Sequence, residues 1–313
     1  MFISGKLVVV TGIPSNLANK TEAFDLTTSK RCPDLPPYPL AIYFASGAFI
    51  NNRLVICGGT YPITGQCYSL GPKETAWQEA GTLKTPRYVA ASTELNGKMI
   101  TMGGNSNGAL QSTEIMDAET KLSTYGPNLP TTLFGFCMVK VNASRVLLIG
   151  GYVDNKSVRT VLWYSNDQSF KPRPDLTTER RLHACGLLTS EEGTYVVVAG
   201  GDNGTTLDSI EYLDLQQPTE WKTGKNCKPL LAIAHFDYFS GPKLPQAIEG
   251  LTIVEQRNQV VAMSGRSDSY QNIMYRLGCV TSGCAWEELP KRLQVARRYH
   301  LSFVVPDNFV NCP

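Results

Sequence analysis

The sequence predicts an all-β fold in one domain, a propeller of six four-stranded blades around a central axis. Three observations predict it. Glycine doublets or near-doublets close six short β-branched runs, at Gly12, Gly59, Gly104, Gly151, Gly201 and Gly265. They recur at spacings of 47, 45, 47, 50 and 64 residues, which is the length of a blade-sized repeat. The composition is 42% hydrophobic and 18% charged, with 27 Gly and 19 Pro in 313 residues, as many short strands joined by tight turns require.

Each repeat is legible in order. The run before the doublet reads as the second strand of a blade, and the Gly pair ends it where the backbone turns with little room for a Cβ. Asp25, Asp117 and Asp214 each fall 13 residues after the second Gly, inside Glu22-Ala-Phe-Asp25, Glu114-Ile-Met-Asp117 and Glu211-Tyr-Leu-Asp214. That places a third strand at one offset in three repeats. An aromatic follows 18 to 21 residues after the doublet as Trp77, Tyr125, Phe170, Trp221 and Trp286, with Cys32 at that place in the first repeat. These fourth-strand aromatics are expected to fill the space between neighbouring blades. Leu-Pro commonly follows, as in Leu129-Pro130 and Leu289-Pro290.

The chain starts at a second-strand pattern, Leu7 to Gly12, and its end supplies the missing first strand, Tyr299 to Val305. Pairing the two would latch the ring. The blades then run approximately over 1–39 plus 293–313, 40–84, 85–131, 132–178, 179–229 and 230–292. The 64-residue interval implies an insertion around Leu230 to Ala247, carrying Phe236, Tyr238 and Phe239. Those aromatics are expected either to form one wall of a binding site or to plug a gap between blades.

The order of apolar run, Gly-Gly, Glu-x-x-Asp, aromatic and Leu-Pro resembles the kelch motif across essentially the whole chain. No Trp-Asp or Gly-His dipeptide occurs, although both mark WD40 repeats. The phrase Gly126-Pro-Asn-Leu129 and the cysteine-bearing blades are similar to extracellular kelch-like proteins of invertebrates. That resemblance implies a secreted, non-enzymatic binding scaffold, with a cytoplasmic location as the alternative. Intracellular kelch proteins usually join the propeller to a BTB or F-box domain, and this chain has no room for either.

Net charge is +2, from 29 basic and 27 acidic side chains, too balanced to attract nucleic acid or anionic lipid over a broad surface. The apolar runs are strand-length, so no membrane insertion is expected. The N-terminus shows no charged region and no cleavage-site pattern of a signal peptide. A protein or an acidic peptide is the expected partner, the chain is expected to be monomeric, and no cofactor is expected.

Nine Cys are present, an odd count, with no Cys-x-x-Cys pair and only three His. Cys57 with Cys67, and Cys279 with Cys284, sit where adjacent strands would bring them to bonding distance. Cys137 and Cys185 lie at matching places in two first strands, where they read as small hydrophobes. Asn19, Asn142, Asn155 and Asn203 open four glycosylation acceptor triplets in predicted turns.

First strands begin on the face that carries the second-to-third-strand loops. Arg87-Tyr88, Arg180-Arg181 and Arg297-Arg298-Tyr299 are therefore expected to gather at one mouth of the central channel. The Arg there would either hold an anion by bidentate hydrogen bonds or tie neighbouring blades together. Galactose-oxidase-type enzymes offer a contrasting model, and His183, Glu249 and His300 share one register in which a metal cluster is conceivable. The competing reading of these His is packing or a backbone hydrogen bond. No nucleophile elbow, phosphate loop or zincin motif occurs, and an actin-associated structural role is the third class.

Overall fold

The computed structural model describes residues 5–14, 17–28, 30–190, 193–223, 242–256, 259–280 and 283–312. It is a six-bladed β-propeller. Blade 1 holds β1 (Gly5–Val10), β2 (Glu22–Asp25) and β3 (Lys30–Arg31), and its innermost strand is β26 (Leu301–Pro306) from the far end of the chain. Blade 2 is β4 (Ser46–Ile50) to β7 (Gln78–Thr82), and blade 3 is β8 (Ala91–Leu95) to β11 (Leu122–Tyr125). Blade 4 comprises β12 (Cys137–Asn142), β13 (Arg145–Ile149), β16 (Val161–Ser165) and β17 (Phe170–Arg173). A small hairpin, β14 (Tyr152–Val153) with β15 (Lys156–Ser157), stands on its inner loop. Blade 5 runs from β18 (Ala184–Ser190) to β21 (Lys222–Thr223), and blade 6 from β22 (Thr252–Gln256) to β25 (Gly283–Glu288). Among the described residues no helix is long and apolar enough to cross a membrane.

Antiparallel pairing closes the ring, with Lys6 opposite Val305, Leu7 opposite Val304 and Val10 opposite Leu301. Beyond the strand, Phe309 and Val310 join the cluster of Val8, Val10, Tyr38 and Ile56 between blades 1 and 2, and a disulfide joins Cys312 to Cys32. Blade stability thus depends on neighbours, as in any fold whose repeats bury their faces only against one another.

The glycine doublets end second strands in a conformation that explains them. Gly58 and Gly103 hold φ of 70° and 60°, and a Cβ there would stand 2.5 Å from the Arg87 carbonyl and 2.2 Å from the Leu133 carbonyl. The close approach of the next blade's connection therefore excludes a side chain. In blade 6 the degenerate pair Ser264-Gly265 lies within a strand that continues to Arg266, where the register shifts as a bulge.

The fourth-strand aromatics divide. Trp77 and Trp221 are buried, and Trp77, Trp221 and Trp286 each donate an indole N–H to the preceding connection, at the carbonyls of Pro36, Pro174 and Pro242. Tyr125 departs from the expectation. It is 57% exposed, because blade 3 turns its ring outward, where Thr85 Oγ1 and the Lys84 ammonium meet it.

Cys57 and Cys67 are opposed in register and bonded. Cys279 is likewise opposite Cys284, but the side chains of that pair lie outside the described residues. Cys137 and Cys185 are a correction to the expectation of inert buried thiols. They form a disulfide between the first strands of blades 4 and 5. Within the inserted connection, Phe236, Tyr238 and Phe239 lie outside the described residues.

Candidate functional site at the channel mouth

Six residues, one before each first strand, surround the axis: Phe44, Val89, Gly135, Leu182, Gly250 and Tyr299. All six have φ between 51° and 63°. Each donates its backbone N–H to the carbonyl of its counterpart in the preceding blade, and the last donation, from Phe44 to Tyr299, closes the circle. This hydrogen-bonded collar spends every N–H and C=O that points around the axis, so nothing arriving at the mouth can pair with it as an added strand.

One residue upstream stand Tyr43, Tyr88, Phe134, Arg181, Glu249 and Arg298. Each forms an isolated β-bridge with the loop following its blade's doublet, at Thr60, Asn105, Tyr152, Asp202, Arg266 and Ile13 respectively. Bridged partners place their side chains together. Phe134 meets Tyr152 edge-on with centroids 5.2 Å apart, and Arg181 pairs with Asp202 at 3.0 Å.

One further residue upstream, Ile42, Arg87, Leu133, Arg180, Ile248 and Arg297 accept from the glycine doublets and alternate aliphatic with basic. The three Arg are buried, so Arg87 stands in a blade junction and not at the open mouth, as in the alternative that these Arg tie neighbouring blades together. Its five N–H groups bond the Thr85 carbonyl, the Gly103 and Ser112 carbonyls, Ser112 Oγ and Glu114. A guanidinium has five donors, so none remains for a ligand. Through their terminal nitrogens Arg180 reaches Gly200, Ser209 and Glu211, and Arg297 reaches Thr11, Lys20 and Glu22. In each case the backbone belongs to one blade's doublet and the side chain to the next, so these Arg staple alternate junctions. Their carboxylate partners also cap the backbone, Glu114 accepting from Lys84 and Thr85.

Arg181, Arg298, Tyr88 and Tyr299 do reach the mouth, half-buried. Neither Arg is free. Arg181 lies over Tyr152, 4.2 Å from the ring centroid, while bonded to Asp202. Arg298 lies over Tyr299 and Tyr270 and bonds Glu249 at 2.5 Å. The mouth is therefore an aromatic surface with neutralised cations, not the open arginine ring expected for an anion. Phe44 stacks on Tyr299 at 3.8 Å, and burial beside Glu249 raises the Tyr299 phenol, which donates to that carboxylate.

Tyr43, Phe44, Phe134, Tyr152 and Tyr270 were not read from the sequence. Their signal is positional. Aligning connections on Arg87, Arg180 and Arg297 would have put an aromatic or charged residue at the next place in every blade.

Below the collar lies a cavity of about 510 Å³, walled by the first strands. His183 and His300 border it, whereas Glu249 is spent on Arg298 and Tyr299 outside it. The expected cluster is thus not assembled, and among the described residues no group of three or more His, Cys, Asp or Glu is placed to hold a metal. His300 Nε2 lies 2.9 Å from Thr252 Oγ1. Burial, reinforced by the neighbouring Arg180 or Arg297 charge, pushes both imidazoles down to about 3. Both are neutral in the fold at pH values where the unfolded chain would protonate them. Stability is then fully present above the ordinary His value of 6.5 and is lost as pH falls toward 3. The urea midpoint should accordingly drop between about pH 7 and about pH 4.5, and His183→Gln with His300→Gln should flatten that drop. Asp25, held down to about 2 by Lys6 and the Thr27 and Thr28 amides against its burial, contributes only below that window.

Asn142 and Asn155 are exposed, and Asn19 and Asn203 half-buried. The hydroxyls of Ser144 and Thr205 donate to the side-chain carbonyls of Asn142 and Asn203.

The chain is a latched six-bladed β-propeller with an aromatic mouth. Its structure resembles that of YjhT, with a TM-score of 0.71 over 91% of this chain and 97% of that one. Identity is 13%, so the likeness shows the fold alone. No protein-family model and no curated protein matches the sequence.

Proposed function

We propose that this propeller is a non-enzymatic, secreted binding scaffold of the kelch type that captures a protein partner on its channel-mouth face. The observation that carries the reading is the concentration of half-buried rings around the collar, with Arg181 and Arg298 held flat on them. Tyr and Arg presented on a rigid surface are the usual energetic anchors of protein interfaces. Because Asp202 and Glu249 already pair both Arg, the partner needs apolar and hydrogen-bonding groups more than negative charge. Three disulfides among the described residues support an oxidising compartment, and the exposure of Asn142 and Asn155 supports glycosylation there.

Selection from a random-sequence peptide library on the immobilised protein tests the proposal. Enriched peptides should lose at least about tenfold in affinity on Tyr88→Ala or Tyr270→Ala protein, with the melting temperature unchanged. Enrichment that is indifferent to both substitutions would place the binding surface elsewhere.

A further inference from the structure

The alternation at the blade junctions extends into the channel wall. Two residues past the collar in blades 2, 4 and 6 stand Ser46, Cys137 and Thr252. Three past it in blades 3, 5 and 1 stand Ser92, Cys185 and Ser302. Cys137 and Cys185 thus occupy one of three equivalent polar positions, and the other two close without a covalent bond. Ser92 donates to the Gly47 carbonyl and accepts from the Gly47 amide, and Thr252 meets His300. The ring thus closes at two of the three junctions without a covalent bond.

It is also placed differently from Cys57–Cys67, whose residues are 0% exposed. Cys137 and Cys185 are both half-buried and both border the channel cavity. The collar residue beside Cys137 is Gly135, which sets no side chain over it. In the same junction stands His183, buried at 7% exposure. At the matching junction His300 bonds Thr252, the counterpart of Cys137, and the His183 ring lies against Gly150, next to Ile149, the strand partner of Cys137.

We propose that Cys137–Cys185 is a redox-active disulfide that exchanges with small-molecule thiols entering the channel. The small thiolate attacks Cys185 Sγ and forms a mixed disulfide there. The S–S electron pair leaves on Cys137 Sγ, where a neutral His183 N–H donates to the new thiolate. A second small thiol attacks the mixed disulfide, releases Cys185 and departs as the oxidised small-molecule disulfide. The two protons of the small thiols end on Cys137 and Cys185.

The test treats the native protein with graded glutathione, alkylates free thiols and maps the peptides. Cys137 and Cys185 should take the label at least about tenfold faster than Cys57 and Cys67, while the cooperative melting transition persists. With glutathione disulfide, Cys137→Ser protein should form a glutathione adduct on Cys185 and release one glutathione, and Cys185→Ser protein provides the reciprocal check should the first variant fold poorly. His183→Asn should slow the exchange without changing its pH dependence, which follows the attacking thiol. Labelling of all four cysteines together, only as the protein unfolds, would overturn the proposal. So would folded single-Ser variants that take up no glutathione.

Discussion

Deleting the residues after Val295 is expected to abolish the cooperative fold rather than loosen one blade. The deletion removes β26, and with it the partner of β1 along six register pairs. It also removes Val305, Phe309 and Val310, all buried, each contributing about 1.5–3 kcal/mol if large and fully buried. The Cys32–Cys312 bond, which encloses most of the chain, contributes up to about 5 kcal/mol more in the loop-entropy account. Arg297, the staple between blades 6 and 1, is lost as well. Set against a domain stability of about 5–15 kcal/mol, these losses leave no stable ring. Thermal denaturation by circular dichroism checks it. A truncated chain with the melting temperature of the intact one would refute closure by the latch, and Cys32→Ser should lower the midpoint without abolishing the transition.

The second large effect is expected at the buried ion pairs. Arg87 and Glu114 are both fully buried and bonded at 2.7 Å, so removing either strands the other charge away from water. Glu114→Gln and Arg87→Met should each cost about 3–5 kcal/mol in denaturant unfolding. Arg87→Lys should not rescue, because an ammonium has three donors for the five acceptors that the guanidinium meets. The double variant should lose less than the sum of the singles. It should still fall short of the parent, since glutamine keeps one acceptor oxygen for the two amides of Lys84 and Thr85 and the Gly103 carbonyl loses its partner. Losses below about 1 kcal/mol in both single variants would mean that the pair behaves as a surface salt bridge.

Much of the architecture was legible because it depends on local constraints. A doublet that must hold positive φ under the next blade's carbonyl can scarcely be anything but glycine, and Glu114 and Asp117 recur at fixed offsets because one caps a junction and the other a turn, where Asp117 accepts from Glu119 and Thr120. The latch was legible because a blade lacking its first strand requires one from elsewhere. The site was less so. Arg180 and Arg181 are neighbours in sequence, and only the backbone's turn into the collar sends one inward and the other to the mouth. Cys137 and Cys185 are separated by 48 residues, and their proximity follows from facing positions on adjacent first strands, which no local pattern encodes. Cys32 carried a signal in hindsight. It replaces the fourth-strand aromatic in the one blade assembled from both ends of the chain, where a covalent tie to Cys312 takes over that packing role.

The aromatic mouth is tested most directly by tyrosine footprinting. A peptide selected on the protein should protect Tyr43, Tyr88 and Tyr270 from iodination while leaving Tyr125, exposed on the outer strand of blade 3, fully reactive. Protection of Tyr125 with the mouth tyrosines still reactive would contradict the assignment of the channel mouth as the binding face.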